Sequence, residues 1–330
     1  MGDLSLCDNC GGIALLDVVG KVVARVIQSR LQSLAETVLP ESQCGFRSQR
    51  GCSYMVFSVR QIGEKVLEHH DKAFFVFVDL KKAYDSVSRD GLWPVLARLG
   101  VPTKLINIIR SFHTAMSTCL RLDGDLLDPI AVQNGLRQGC TMAPVLFNLY
   151  MCAVVECWHA RLRGVDGVGI YVNYQCDGQL YRKPSRRTSR ACITEGQFAD
   201  DSVLIAVTRS GMEHAVVTLN RVASDFGLSV SFSKTKFMAV GVDICDDDMA
   251  PIAIGGSAID HVPEFRYLGS LIDNSGRSSL GIGASISATS RAFGALVALY
   301  FAVRICPSLQ NASSFLRVCF LCCCMGLSVG

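Results

Sequence analysis

The chain has 330 residues, half of them apolar and 18% charged, with a formal net charge of +3. That length and apolar content exclude a disordered chain and allow a large buried core, in two packed units or one subdivided domain. A charge so near balance excludes no nucleic-acid role, because phosphate contacts depend on where basic residues sit rather than on their total.

The opening segment MGDLSLCDNCGG carries acids and no basic stretch leading an apolar run, so no secretory signal is expected. The sixteen cysteines accordingly read as reduced thiols, in a cytoplasmic and nuclear setting. Cys7 and Cys10 form one CxxC with no second pair at zinc-ribbon spacing, and Cys322, Cys323 and Cys324 follow no metal pattern. The apolar stretches Ala292–Val303 and Val318–Gly330 fall short of the roughly 18 residues that span a bilayer, so no membrane partner is expected.

From Ile13 to Leu39 the apolar positions Val18, Val22 and Val26 recur at helical spacing opposite Lys21, Arg25 and Arg30, which predicts an amphipathic helix ended by Pro40. A second helix is expected over Ser53–His69. The run AFFVFVDL is short, continuous and rich in Phe and Val, the pattern of a central strand buried on both faces. Beyond Ser88 two helical patterns break at Gly100 and Pro102, and TCLRLDGDLLDPIAV sets an Asp-Gly turn between β-prone segments, a predicted hairpin. The turn-rich QNGLRQGCTMAP leads into a helix from about Val145 to Leu162. The basic island YRKPSRRTSR, Tyr181 to Arg190, reads as a loop, either solvated or touching nucleic-acid backbone through Arg182, Lys183, Arg186, Arg187 and Arg190. ITEGQFADDSVLIAV reads as two β-prone runs around Asp200 and Asp201, a hairpin with acids at its tip. A helix over Gly211–Phe226, a strand near Phe237–Val240, a hairpin near Phe265–Ile272 and a terminal helical region complete the pattern.

The arrangement that carries chemistry is an apolar strand closed by Asp79 and a later tight turn bearing Asp200 and Asp201. Each acid has a plain alternative, a strand-end turn residue or a solvated hairpin tip. If the three meet, their mutual repulsion calls for a cation. Two divalent ions roughly 3.5–4 Å apart can activate a primer 3′-hydroxyl and stabilise leaving pyrophosphate.

FVDLKKAYDSV, NGLRQGCTMAPVLFNLYM, QFADDSVLIA, GLSVSFSKTKFM and FRYLGSLI occur in this order and together resemble the palm motifs of LINE-like, non-LTR reverse transcriptases. Upstream, LPESQCGFRSQRGC resembles that family's fingers motif and GIALLDVVGKVVARVIQSRL its most N-terminal segment, so the likeness runs from about Ile13 to Phe293. The resemblance implies an α+β right-hand polymerase, with an antiparallel palm sheet packed on helices. Its implied divisions are fingers and the approach to the palm over 1–72, palm over 73–275 with a fingers insertion near 90–130, and an incomplete thumb over 276–330.

Carried over residue by residue, the resemblance implies Asp79 and Asp200 as ligands of two Mg2+ ions, or of Mn2+, with Asp201 beside them and the Leu80 carbonyl as a further ligand. Tyr84 takes the place of the aromatic side chain that rejects a ribose 2′-hydroxyl, with core packing as its plain alternative. Asp85 reads as structural, ahead of Ser88 and a helix start. Gly135 and Gly139 let backbone lie against template base and incoming nucleotide, where Gln138 can hydrogen-bond. Arg47 and Arg50 are placed to clamp triphosphate oxygens, with an exposed loop charge as the alternative for at least one. Lys234 or Lys236 is placed to protonate pyrophosphate, and spacing does not separate them. Tyr267, Leu268 and Gly269 correspond to the primer grip.

The implied activity is RNA-directed DNA synthesis, with an RNA template, a DNA primer or nicked target DNA, and deoxynucleoside triphosphates as partners. Three features depart from the family pattern: Cys10 and Gly11 replace an aromatic and an arginine, Gly196 stands where an apolar residue is usual, and no endonuclease domain or full thumb is expected within the chain. They leave open a decayed or domesticated non-catalytic copy that binds RNA, and a palm polymerase that makes RNA, the latter opposed by Tyr84.

Overall fold

In the computed structural model the described residues are 17–119, 121, 122, 125, 126, 128–137, 139–175, 188–276, 283, 286, 287 and 289–294. They fall into two compact units divided between Val262 and Pro263. The CxxC, the Cys322–Cys324 cluster, Gln138, residues 181–187 and most of the expected thumb lie outside the described residues. Among those described, no helix is long and apolar enough to cross a membrane.

The first unit opens with α1 (Val18–Val38), capped by Asp17, whose carboxylate accepts from Gly20 N at 2.6 Å. Its buried face is not the one the valine spacing predicts. Ala24, Ile27, Leu31 and Ala35 are buried, while Val18, Val22 and Val26 are exposed. Two alanines on the buried face let α1 approach the later helix over Ala143–Arg161 closely, so the fit between helices, and not the size of the apolar side chains, selects the face.

After α2 (Cys52–Glu68) comes β1 (Lys72–Val78), the centre of the fold. Alternation along β1 sends Phe74, Val76 and Val78 into the main core, and Phe75 and Phe77 to the opposite face, which α2 covers. Each such side chain contributes about 1.5–3 kcal/mol on burial, so the strand is held by apolar contact on both sides.

The chain then forms α3 (Ala83–Ser86), α4 (Arg89–Arg98) and α5 (Thr103–His113). Ser88 caps α4 by accepting from Gly91 N at 3.2 Å. Nested pairs β2 (Ser117–Thr118) with β5 (Ile130–Ala131), and β3 (Arg121–Leu122) with β4 (Asp125–Leu126), make the hairpin expected around the Asp-Gly turn. α6 (Ala143–Arg161) is almost wholly apolar and buried around its circumference from Ala143 to Val155, the signature of a helix at the centre of a core, and its last turns reach the surface.

An antiparallel pair comes next, β6 (Ile170–Gln175) with β7 (Thr188–Ile193). It corrects the loop expected up to Arg190, because Thr188, Ser189 and Arg190 belong to β7. Ile170 and Val172 are buried and Tyr171 is exposed, so an alternation present in the sequence marks this strand.

β8 (Glu195–Phe198) and β9 (Asp201–Ala206) form the acidic hairpin, succeeded by α7 (Arg209–Asp225), β10 (Lys236–Gly241), α8 (Asp246–Met249), β11 (Ile252–Ile254) and β12 (Ser257–His261). The sheet order is β11-β12-β10-β1-β9-β8, and every pairing is antiparallel except β10 with β12. Gly196 on β8 lies against α2: a Cβ there would stand 2.6 Å from Met55 Sδ and would push that thioether aside. It marks the close approach of α2 to β8.

The second unit contains β13 (Glu264–Tyr267) paired with β14 (Ser270–Asp273) through a two-residue turn. Leu268 and Gly269 both have positive φ there, 48° and 79°, the backbone that a tight hairpin requires. The boundary at Val262 groups this hairpin with the C-terminal part of the chain, whereas the motif division places it with the palm.

Candidate active site

Asp79 is the first residue beyond β1 and is fixed through its backbone. Its N–H donates to Thr235 Oγ1 at 3.2 Å and its carbonyl accepts from Ser231 N at 2.8 Å. The neighbouring bond, Lys81 N to Ser229 O at 2.8 Å, completes a bridge that pairs Leu80 with Val230. The Leu80 carbonyl takes no part in that bridge.

The β1–β9 register pairs Val78 with Ser202. One step further along the same ladder sets Asp79 opposite Asp201. Phe198 pairs with Asp201 across the β8–β9 turn, so Ala199 and Asp200 are the turn itself. Two adjacent strands thus bring all three carboxylates to one end of the sheet.

Their electrostatics reflect that proximity. Burial, with the Asp79 charge behind it, raises the Asp200 carboxyl above the usual carboxylate range. One side of Asp201 reaches solvent, and burial of the other, with the Asp200 and Asp79 charges adding to it, pushes its carboxyl up to about 6. Burial, then the Asp200 charge, also raises the Tyr84 phenol, which places that ring beside the acids. Tyr84 is held there by stacking on Phe147 of α6, with centroids 4.6 Å apart and planes at 22°.

The donor set fits a hard divalent cation. Asp79 Oδ2 is buried with no hydrogen-bond partner, and the nearest cation is Lys234 Nζ at 3.6 Å. Among the described residues no group of three or more His, Cys, Asp or Glu side chains is arranged to hold a metal ion by itself, so an ion here would draw further donors from backbone, water or substrate. Mg2+ suits such an open, all-oxygen site, because it commonly takes one or two carboxylates and completes its shell with water and substrate phosphates.

The two candidate lysines are distinguished by position. Lys234 lies beside Asp79 with an exposed side chain, whereas Lys236, on β10, donates to Asp260 Oδ2 at 2.6 Å. The two fingers arginines differ as sharply. Arg47 is 8% exposed, with its guanidinium committed to Glu36 at 3.0 Å and to the carbonyls of Pro40 and Gln43 at 2.8 and 3.1 Å. It is neither an exposed charge nor free to meet a triphosphate. Arg50 is more open, pairs with Glu41 and lies 5.4 Å from the Tyr54 ring.

Gly135 and Gly139 have φ of 85° and 90°. A Cβ on Gly135 would meet the Asp85 backbone at 2.7 Å, so its smallness serves this internal contact rather than a nucleotide. Gly139 is exposed. Tyr267, Leu268 and Gly269 lie in the second unit's hairpin, with Tyr267 buried.

Several site residues escape motif reading. Thr235 anchors Asp79, and Gln43, Gln197 and Asn148 form a buried polar chain behind the acidic turn. Arg89 is buried and donates to the carbonyls of Gly135, His113, Val132 and Asn134, which fixes the glycine loop against α4. Gln43 stands within SQCGFR, where the neighbouring Arg47 draws attention away from it.

The family described as reverse transcriptase (RNA-dependent DNA polymerase) matches residues 9–272. This chain belongs to the reverse transcriptase family. Among curated relatives, the RNA-directed DNA polymerase from mobile element jockey of Drosophila funebris is 26% identical over 270 residues, 81% of this chain and 27% of the relative. The probable RNA-directed DNA polymerase from transposon BS of Drosophila melanogaster is 24% identical over 284 residues, 84% of this chain and 28% of the relative. The reverse transcriptase chain thus spans about a quarter of the length of these relatives. Among solved structures, apo telomerase from Candida tropicalis, truncated of its C-terminal domain, has a TM-score of 0.50 at 12% identity, covering 76% of this chain and 44% of that one. That likeness concerns the fold, a right-hand polymerase with an antiparallel-dominated palm sheet.

Proposed function

We propose that this reverse transcriptase chain extends a DNA primer on an RNA template with deoxynucleoside triphosphates, as part of the replication of a non-LTR retrotransposon. The observation that carries the reading is the meeting of Asp79, Asp200 and Asp201 at one end of β1 and β9, with an unsatisfied Asp79 oxygen and raised Asp200 and Asp201 carboxyls.

Asp79, Asp200 and the Leu80 carbonyl would hold two Mg2+ ions, for which Mn2+ can substitute. When bound, these supply Lewis-acid activation of a primer 3′-hydroxyl and charge stabilisation of the leaving pyrophosphate. Asp201 adds negative potential beside them. Tyr84, braced by Phe147, sets the floor on which a deoxyribose rests and a ribose 2′-hydroxyl collides. Lys234, exposed beside Asp79, is the side chain placed to give a proton to pyrophosphate, while Lys236 serves the sheet through Asp260. Arg50 is the fingers guanidinium open enough to meet phosphate, Arg47 being committed to fold contacts. Gln138 and Gly139 are assigned to nucleotide contact, and Tyr267, Leu268 and Gly269 to the primer end, by resemblance.

The test is extension of a DNA primer on an RNA template in Mg2+, with ribonucleotides as competitors. The expected result is deoxynucleotide-selective extension that falls at least a thousandfold in Asp200→Ala. RNA binding without extension, or extension indifferent to that substitution, contradicts the reading.

A further inference from the structure

We infer that the side-chain amide of Gln43 is a positioning residue for the acidic turn, holding Ala199 so that Asp200 is set against Asp79. The inference rests on the active-site reading above and assigns a role to a fingers residue that touches none of the reacting groups.

Gln43 is 1% exposed. Its Oε1 accepts two backbone N–H groups, from Gly45 at 2.8 Å and from Ala199 at 3.0 Å. Its Nε2 donates to Gln197 Oε1 at 3.1 Å. Two donors facing one end of the amide fix its orientation, because only the oxygen can accept from both.

Around that amide the two segments are joined by backbone as well. Cys44 N donates to Gln197 O at 2.8 Å and Gln197 N donates to Ser42 O at 2.8 Å, which adds residues 42–44 to the β8 edge of the sheet. Gly45 closes over the turn itself: a Cβ there would stand 2.3 Å from Ala199 N. From behind, Asn148 of α6 donates to Gly45 O at 2.7 Å. The buried helix α6 therefore reaches the turn through Asn148, Gly45 and Gln43.

The turn needs such a support. Ala199 has φ of 58°, a left-handed backbone that a residue with a Cβ adopts only when its surroundings impose it. It immediately precedes Asp200. Release of its N–H lets the residue relax toward negative φ, which swings Asp200 away from the end of β1. SQCGFR, the part of the fingers motif that precedes Arg50, thus acts mainly as the brace of the acidic turn, with Arg47 tying its own loop together from beneath.

The test compares wild type, Gln43→Met, Gln43→Glu and Val216→Ala in the full chain, without metal and with Mn2+. Met keeps the length of Gln43 and removes the acceptor. Glu keeps the acceptor and removes the donor to Gln197. Val216→Ala lowers core stability on α7, away from the turn. Hydrogen exchange of the Ala199 amide and electron spin resonance of free Mn2+ are measured together. The expected result is Ala199 exchange at least tenfold faster in Gln43→Met than in a Val216→Ala protein of matched melting temperature, with at least fivefold weaker Mn2+ binding. Gln43→Glu is expected to keep most of the Ala199 protection. The inference is overturned if Gln43→Met leaves Ala199 exchange or Mn2+ binding at the level of the Val216→Ala control. It is also overturned if Gln43→Glu loses as much protection as Gln43→Met. Wild-type protein that extends no primer counts against the polymerase reading alone, because the exchange comparison reads the Gln43 contact without catalysis.

Discussion

Lys234 Nζ lies 3.6 Å from Asp79 Oδ2, the carboxylate oxygen that no hydrogen bond satisfies. The lysine comes after the strand-like pairing of Leu80 with Val230, so the segment that anchors the backbone of Asp79 also delivers a positive charge to its side chain. Lys234→Gln is expected to slow nucleotide addition about a hundredfold, within the range of a lost general acid. Lys236→Gln, which removes a surface pair with Asp260, is expected to change it less than about threefold. Single-turnover extension of the two variants checks the assignment.

The fingers arginines are expected to separate stability from nucleotide binding. Arg47→Ala strips partners from Glu36 and from the carbonyls of Pro40 and Gln43, and should cost about 2–4 kcal/mol in urea unfolding. Arg50→Ala should cost less than about 1 kcal/mol and raise the KM for deoxynucleotides several-fold.

The acids also set a pH dependence in the metal-free protein. Asp200 and Asp201 have carboxyls raised in the folded state, so the folded chain binds protons more tightly than the unfolded one, and stability falls as pH rises from about 4 through 6. The acids' share of the stability without metal should therefore be larger at pH 5 than at pH 7, against the opposite slope of His113 and His261, whose burial lowers their pKa, and Mg2+ should recover the acids' loss at pH 7. His159, raised mainly by its hydrogen bond to Glu195, slopes the same way, since its contribution is complete below its unfolded pKa and is lost as pH rises through the folded one. Asp201→Asn isolates one acid: it should reduce the pH 5–7 slope by the Asp201 share and leave the Asp200 and His159 parts.

Gly135→Ala combines a φ of 85° with a Cβ 2.7 Å from the Asp85 backbone. The expected cost is about 2–4 kcal/mol from backbone strain and overpacking, read by thermal or urea unfolding. A merely nucleotide-facing glycine would lower activity and leave unfolding unchanged.

Much of this is legible in the sequence because two periodicities dominate it. FFVFV has no polar face, which only a doubly covered central strand explains, and Asp79 and the Asp200–Asp201 turn then fall at adjacent strand ends. The buried face of α1 is hidden because Val18, Val22 and Val26 are more apolar than Ala24 and Ala35, while close helix approach favours the alanines. Gly196 and Gly135 read in isolation as concessions to weak structure or to a ligand, and both answer to neighbours distant in sequence, Met55 and Asp85. Gln43 and Thr235 are invisible for the same reason: a neutral side chain declares no purpose until the backbone group it satisfies is known.

On the proposed function, Asp79 and Asp200, with the Leu80 carbonyl, share divalent cations at one end of the sheet, and Asp201 lies beside them. Replacing Mg2+ by Fe2+ and triggering localised hydroxyl-radical cleavage of the backbone tests it most directly. Cuts are predicted to concentrate around residues 79–81 and 199–202, to be suppressed by excess Mg2+ and to be lost in Asp79→Asn. Cuts at only one of the two segments, or a pattern unchanged in Asp79→Asn, would contradict it.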